Sequence, residues 1–147
     1  MKDQVLAYYE KHKKIISPLF GDVKVMPQAL RHLENKDKKH KRTDEEITIR
    51  YKCFMLIDQL IEKSHLYQEY KQEMQEILIK RKWRKVPVQM KVQYFWLIWV
   101  IEAYQWHRIR IKVVIKKIVQ RNHYEFISVI PAWNMKWYHR LYFEENL

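Results

Sequence analysis

The sequence predicts an all-α fold: a compact, single helical domain over residues 1–147, built around a central apolar helix. Three observations lead there. The chain holds one glycine, Gly21, and four prolines, whereas a sheet-rich fold calls for many turn formers. Apolar residues recur three and four positions apart in several segments, the period of an amphipathic helix. The run Tyr94–Ile101 is apolar all round, as in a helix buried on most sides. Hydrophobic residues make up 48% of the chain, which supplies a core and argues against disorder.

In chain order, Val5, Tyr9, His12 and Ile16 share one helical face, so residues 3–17 read as a first helix that Pro18 ends. Residues 18–42 are less regular. Pro27 suits the first position of a short helix through Ala29, Leu30 and Leu33. The stretch from Lys36 to Arg42 holds five cations and reads as a mobile basic loop. Thr43 and Glu46 form a capping box ahead of a long helix, with Ile47, Tyr51, Phe54, Ile57 and Ile61 on its buried face. Ser64 caps the next helix, which carries Tyr67, Tyr70, Met74, Ile77 and Leu78 and ends in a basic cluster. Pro87 opens the central helix, Val88 to Trp106, with Trp96 in the core. Residues 108–120 fit two patterns. Ile109, Ile111 and Val113 alternate with cations as in a strand, while Ile111, Val114, Ile115 and Ile118 fit a helix. Length and helical neighbours favour the helix.

Charge is the most informative bulk property. The net charge is +12, and it is unevenly spread: residues 1–75 carry 15 basic and 12 acidic side chains, residues 76–147 carry 14 and 5. A field of that sign attracts polyanions; the alternative is a solvated surface that keeps the protein in solution. Met1 to Glu10 lack the apolar stretch of a signal peptide, and Tyr94–Ile101 is far short of a membrane-spanning segment. A cytoplasmic location without membrane contact is therefore expected. The lone Cys53 sits in an apolar run and reads as a small buried hydrophobe rather than a nucleophile. The seven histidines form no H-x-x-x-H pair, and no glycine-rich phosphate loop exists. No metal, cofactor or catalytic residue is expected.

Two segments carry candidate function. Lys80, Arg81, Lys82, Arg84 and Lys85 surround Trp83, and cations interleaved with an aromatic ring can hold phosphates while the ring stacks on a base. The same pattern is met at a helix end with Trp83 tucked against the core. Residues 124–143 read as a short helix, a corner at Pro131–Ala132, and a second helix with Asn134, Lys136, His139 and Arg140 outward.

The string Tyr124-Glu125-x-Ile127-Ser128-x-Ile130, the corner, Asn134 and Tyr138-x-Arg140-Leu141 resembles the helix-turn-helix of sigma-factor region 4 and of phage transcription regulators of the ArpU and RinA kind. The resemblance implies a helix-turn-helix over about residues 111–146 whose final helix enters a DNA groove. The expected function is non-enzymatic nucleic-acid binding, with DNA favoured over RNA, by a transcription regulator of a phage or other mobile element. A homodimer would suit a two-fold operator. The second expectation is a helical interaction or inhibitor protein that docks on an acidic protein or a ribonucleoprotein, since Trp, Tyr and Arg dominate interface hot spots.

Overall fold

The computed structural model describes residues 1–103 and 107–132. It shows a mixed α/β fold. Four helices, α1 (Lys2–Lys11), α2 (Pro27–Glu34), α3 (Asp44–Phe54) and α4 (Ile57–Lys63), accompany six strands: β1 (Lys14–Ser17), β2 (Gly21–Val25), β3 (Glu69–Arg81), β4 (Arg84–Ala103), β5 (His107–Ile118) and β6 (Tyr124–Ala132). The strands form one sheet in the order β1-β2-β6-β5-β4-β3. β3 to β6 run as an antiparallel meander, and the β1–β2 hairpin joins it by parallel pairing of β2 with β6.

The all-α expectation is thus overturned, and among the described residues every regular element from Glu69 onward is a strand. The central apolar helix is strand β4. Its alternate residues Phe95 and Leu97 are buried in the core, while Tyr94, Trp96 and Ile98 lie on the other face, half-buried. A continuous apolar run serves a strand covered on both faces as well as a buried helix, so the run itself did not distinguish them. Residues 107–118 take the strand pattern, with Ile109, Ile111, Val113 and Ile115 inward. β-Branched residues fit that pleated surface.

One face of the sheet packs on the helices. Phe95, Leu97, Ile111, Val113, Ile115 and Phe126 meet a helical layer that includes Val5, Leu33, Phe54, Ile57 and Ile61, all buried. The Phe54 and Phe126 rings lie 5.9 Å apart at the centre of this layer, each fully buried, and burial of such a side chain stabilises by about 1.5–3 kcal/mol. Polar pins tie the layers. The Tyr8 hydroxyl donates to Asp58 Oδ1 at 2.7 Å and accepts from the Asp58 amide, joining α1 to α4. Arg50 Nη1 donates to the Val129 carbonyl at 2.8 Å, joining α3 to β6. An extra residue in β6, Ile127, sits opposite the Val114–Ile115 step and re-aims the strand as a bulge does.

Several local signals hold. Pro27 is the first residue of α2, and Thr43 Oγ1 accepts from the Glu46 amide at 3.2 Å. Ile47, Tyr51, Phe54, Ile57 and Ile61 are buried, on two helices rather than one, because the chain breaks at Met55 and Leu56. The first helix ends at Lys11, and Ile15 and Ile16 belong to β1. Ser64 caps no following helix. Its hydroxyl donates to the Leu60 carbonyl and accepts from the Trp99 indole, fixing the end of α4 to the sheet.

Candidate nucleic-acid interface

The basic cluster ends no helix. It is the tip of a long hairpin. β3 and β4 pair in unbroken register from Glu69–Trp96 to Arg81–Arg84, but β5 accompanies β4 only from Val92 onward. From Met74–Lys91 to the turn the hairpin is therefore a two-stranded arm. Its eight residue pairs span roughly 25 Å at about 3.3 Å per residue, and Ile77 on one side of it lines a cavity beside Met26 and Ala29.

At the end of the arm Lys82 and Trp83 form the two-residue turn. Lys82 has φ +52, where a glycine or asparagine is the usual occupant of such a turn. Behind it the register sets Arg81 opposite Arg84 and Lys80 opposite Lys85, like charges at cross-strand positions, which destabilise a hairpin. Among the described residues no acid pairs with any of these five cations. Trp83 is 97% exposed, so it is not tucked against the core. The structure brings together Lys80, Arg81, Lys82, Trp83, Arg84 and Lys85 as one exposed knob, the cations splayed over both faces of the arm.

Asn134, Lys136, His139 and Arg140 lie outside the described residues. Within the span read as a helix-turn-helix, residues 111–118 and 124–132 are strands. The segment expected as its first helix is β6, paired with β5 on one side and β2 on the other.

The second basic cluster is folded back on itself. Asn35 bridges to Lys41, and the Asp37 carboxylate accepts from the Lys39 and His40 amides at 2.7 and 3.0 Å. These bonds hold the Asp37 carboxyl below its ordinary range. Asp37 also meets the His40 ring at 2.8 Å. An acid thus organises this turn from within, whereas the arm tip has none.

Cys53 is buried on α3, and burial pushes its thiol up to about 12, which leaves little thiolate at neutral pH. Among the described residues no group of three or more His, Cys, Asp or Glu side chains lies together as metal ligands would. No helix among them is long and apolar enough to cross a membrane.

At the root of the arm lies a feature that helical periodicity concealed. Phe95 is ringed by Phe20, Tyr67, Tyr70 and Tyr124, with ring centroids 4.9 to 6.1 Å from its own. Lys117 Nζ stands 4.9 Å from the centroid of the Tyr124 ring, within cation–π range. Read with a period of two, Tyr70, Gln72, Met74, Glu76, Leu78 and Lys80 form one side of β3; a helical period groups Tyr70, Met74, Ile77 and Leu78 instead. No protein-family model, curated protein or solved structure matches the chain.

Proposed function

We propose that the chain is a non-enzymatic nucleic-acid-binding protein that grips its ligand with the tip of the β3–β4 arm. The observation that carries this reading is Trp83, 97% exposed between five cations that meet no acid among the described residues. A solvated hairpin end accounts for the cations but gives no reason for an indole, which a protein ordinarily buries at least in part. Phosphates and bases account for both. Arg and Lys hold the backbone, and the ring offers a stacking surface to any base. A two-stranded ribbon is also slim enough to enter a major groove. A cytoplasmic location goes with this reading.

The test is a titration of labelled duplex and single-stranded oligonucleotides across a range of salt. Each phosphate contact contributes about −0.7 to the slope of log affinity against log salt for a single strand, and about −0.9 for a duplex. If all five tip cations engage phosphates, the slope is about −3.5 or about −4.5 respectively. Replacing the five by Gln abolishes most of that dependence. Absence of binding at low salt, or unchanged binding by the five-fold variant, rejects the proposal. In that case an acidic protein, which Trp and Arg also suit, is the next partner to test.

A further inference from the structure

We infer that the ligand is a single strand laid along one face of the arm, with Trp83 as one stacking seat and the Tyr67–Tyr70 pair as a second; this rests on the nucleic-acid reading above. The face in question is the one that, farther along the sheet, packs on the helices. Past the aromatic cluster the helices no longer cover it. The register pairs Tyr70 with Phe95, Gln72 with Gln93, Met74 with Lys91, Glu76 with Gln89, Leu78 with Pro87 and Lys80 with Lys85 on this side. From Met74 to Lys80, and from Lys85 to Lys91, every residue on this face is exposed, whereas the opposite-face residues 75, 77, 79, 86, 88 and 90 are half-buried.

The exposed face has the composition of a single-strand track. Among the described residues Lys80, Lys85, Lys91 and the half-buried Lys117 lie on it against one acid, Glu76. Met74 and Leu78 are each 58% exposed, a cost in water that contact with sugars and base faces would offset. At the inner end Tyr67 and Tyr70 are 46% and 45% exposed, one part of each ring against Phe95 and the rest open. Their seat is fixed before any ligand arrives. The Tyr70 hydroxyl donates to Gln72 Oε1 at 2.9 Å and accepts from Gln93 Nε2 at 3.1 Å. Preorganised rings lose little entropy on stacking.

A duplex keeps its base faces stacked inside, so open tyrosine rings would find nothing to stack on there. A single strand or an unpaired loop presents those faces. Tyr70 and Trp83 stand thirteen positions apart along the hairpin, about 43 Å at roughly 3.3 Å per residue. That distance accepts about 12 nucleotides stacked at 3.4 Å each, and fewer if the strand is stretched.

The experiment compares oligothymidylates of about 5 and about 15 nucleotides, a duplex of the longer length, anionic phospholipid vesicles and polyglutamate, using the full chain. The long single strand is expected to bind at least tenfold more tightly than the short one, because only it spans both seats. Tyr67→Ala/Tyr70→Ala is expected to remove most of that gain, and Tyr70→Phe, which keeps the ring and loses its two hydroxyl hydrogen bonds, to lose a smaller part of it. Should the double alanine variant melt early, Lys91→Gln/Lys117→Gln gives an independent reading: the salt slope with the long strand falls by about 1.4. Full retention of the length gain in the alanine variant, or an unchanged slope in the glutamine variant, overturns the track while leaving the tip proposal standing if the five-fold tip variant still fails to bind. Loss of all nucleic-acid binding in the wild type overturns both. Vesicle or polyglutamate binding that depends equally on Tyr67 and Tyr70 also overturns the track.

Discussion

Trp83→Ala separates binding from folding more sharply than any other single change. The indole is 97% exposed, so its removal forfeits almost no burial, and surface changes of this kind stay within about 0.5 kcal/mol of neutral. Ring–base stacking contributes about 1–3 kcal/mol per base, which corresponds to roughly 5- to 150-fold in affinity at about 1.4 kcal/mol per tenfold. The expected outcome is an unchanged denaturant midpoint with a weaker single-strand complex, and Trp83→Phe in between. Fluorescence anisotropy of a labelled oligonucleotide gives the affinity, and a urea melt gives the stability. The salt slope should stay the same, because the five cations remain. Equal affinity for wild type and alanine variant would refute stacking by Trp83 and leave only a charged knob. A large loss of stability would refute the exposed position of the ring.

Four further outcomes follow from the same geometry. Phe54→Ala removes a fully buried ring from the helix–sheet contact and should cost about 3–5 kcal/mol in a denaturant melt; a near-neutral result would displace the core from α3. Lys82→Gly relieves a positive φ that costs an L-residue about 1–2 kcal/mol, against about 0.5–1 kcal/mol of added chain entropy, so the variant should be slightly more stable while its single-strand salt slope falls by about 0.7. Cys53, its thiol raised to about 12 by burial, should resist a thiol reagent at mild alkaline pH in the folded protein and react at once in denaturant; fast native labelling would contradict its buried place. The Glu34 carboxyl is held below the ordinary carboxylate value, first by the hydroxyl of Tyr51 that donates to it and then by Lys2 at 3.3 Å. A depressed folded value stabilises above the unfolded value, near 4.5, and that contribution is lost as pH falls through the folded one. Acid melts should therefore weaken below about pH 4.5 in the wild type and depend less on pH there in Tyr51→Phe.

The front of the chain was more legible than the back because its signals are local. Pro27 at a first helical position and Thr43 ahead of Glu46 act through one turn of backbone, and both stand where the sequence placed them. The strands were hidden for two physical reasons. Scarcity of glycine argues against many tight turns, yet β3 has 13 residues and β4 has 20, and long strands need few turns. The sharpest of those turns uses Lys82 at positive φ in place of glycine. The second reason is that residues 94–101 carry no polar interval, so no period could be read from them. Where alternation was visible, at Ile109, Ile111 and Val113, it was the better guide than the helical neighbours. Of the proposed interface, the charge and ring at residues 80–85 were legible, but their place on a turn was not, and Tyr67, Tyr70, Lys91 and Lys117 could be joined only through strand register.

The arm tip breaks three local rules at once. Two like-charged pairs face each other across the strands, a lysine occupies a left-handed position, and a tryptophan stands in water. Any one of these could be a tolerated accident, since isolated like charges in water repel by about 1 kcal/mol or less at contact distances. Elsewhere several acids have partners of their own. Asp37 gathers the amides of its own turn, Glu69 meets Lys112 at 3.2 Å, and Glu125 meets His123 at 2.8 Å. Among the described residues the tip concentrates repulsion, a positive φ and an exposed ring with no acid paired to its cations, and local rules that fail together at one place mark a functional site more often than a structural one. A polyanion would relieve two of these costs in a single event, since phosphates between the cations turn repulsion into attraction and a stacked base covers the indole. The left-handed Lys82 would remain, as the residue that tightens the turn and holds Trp83 at its crest.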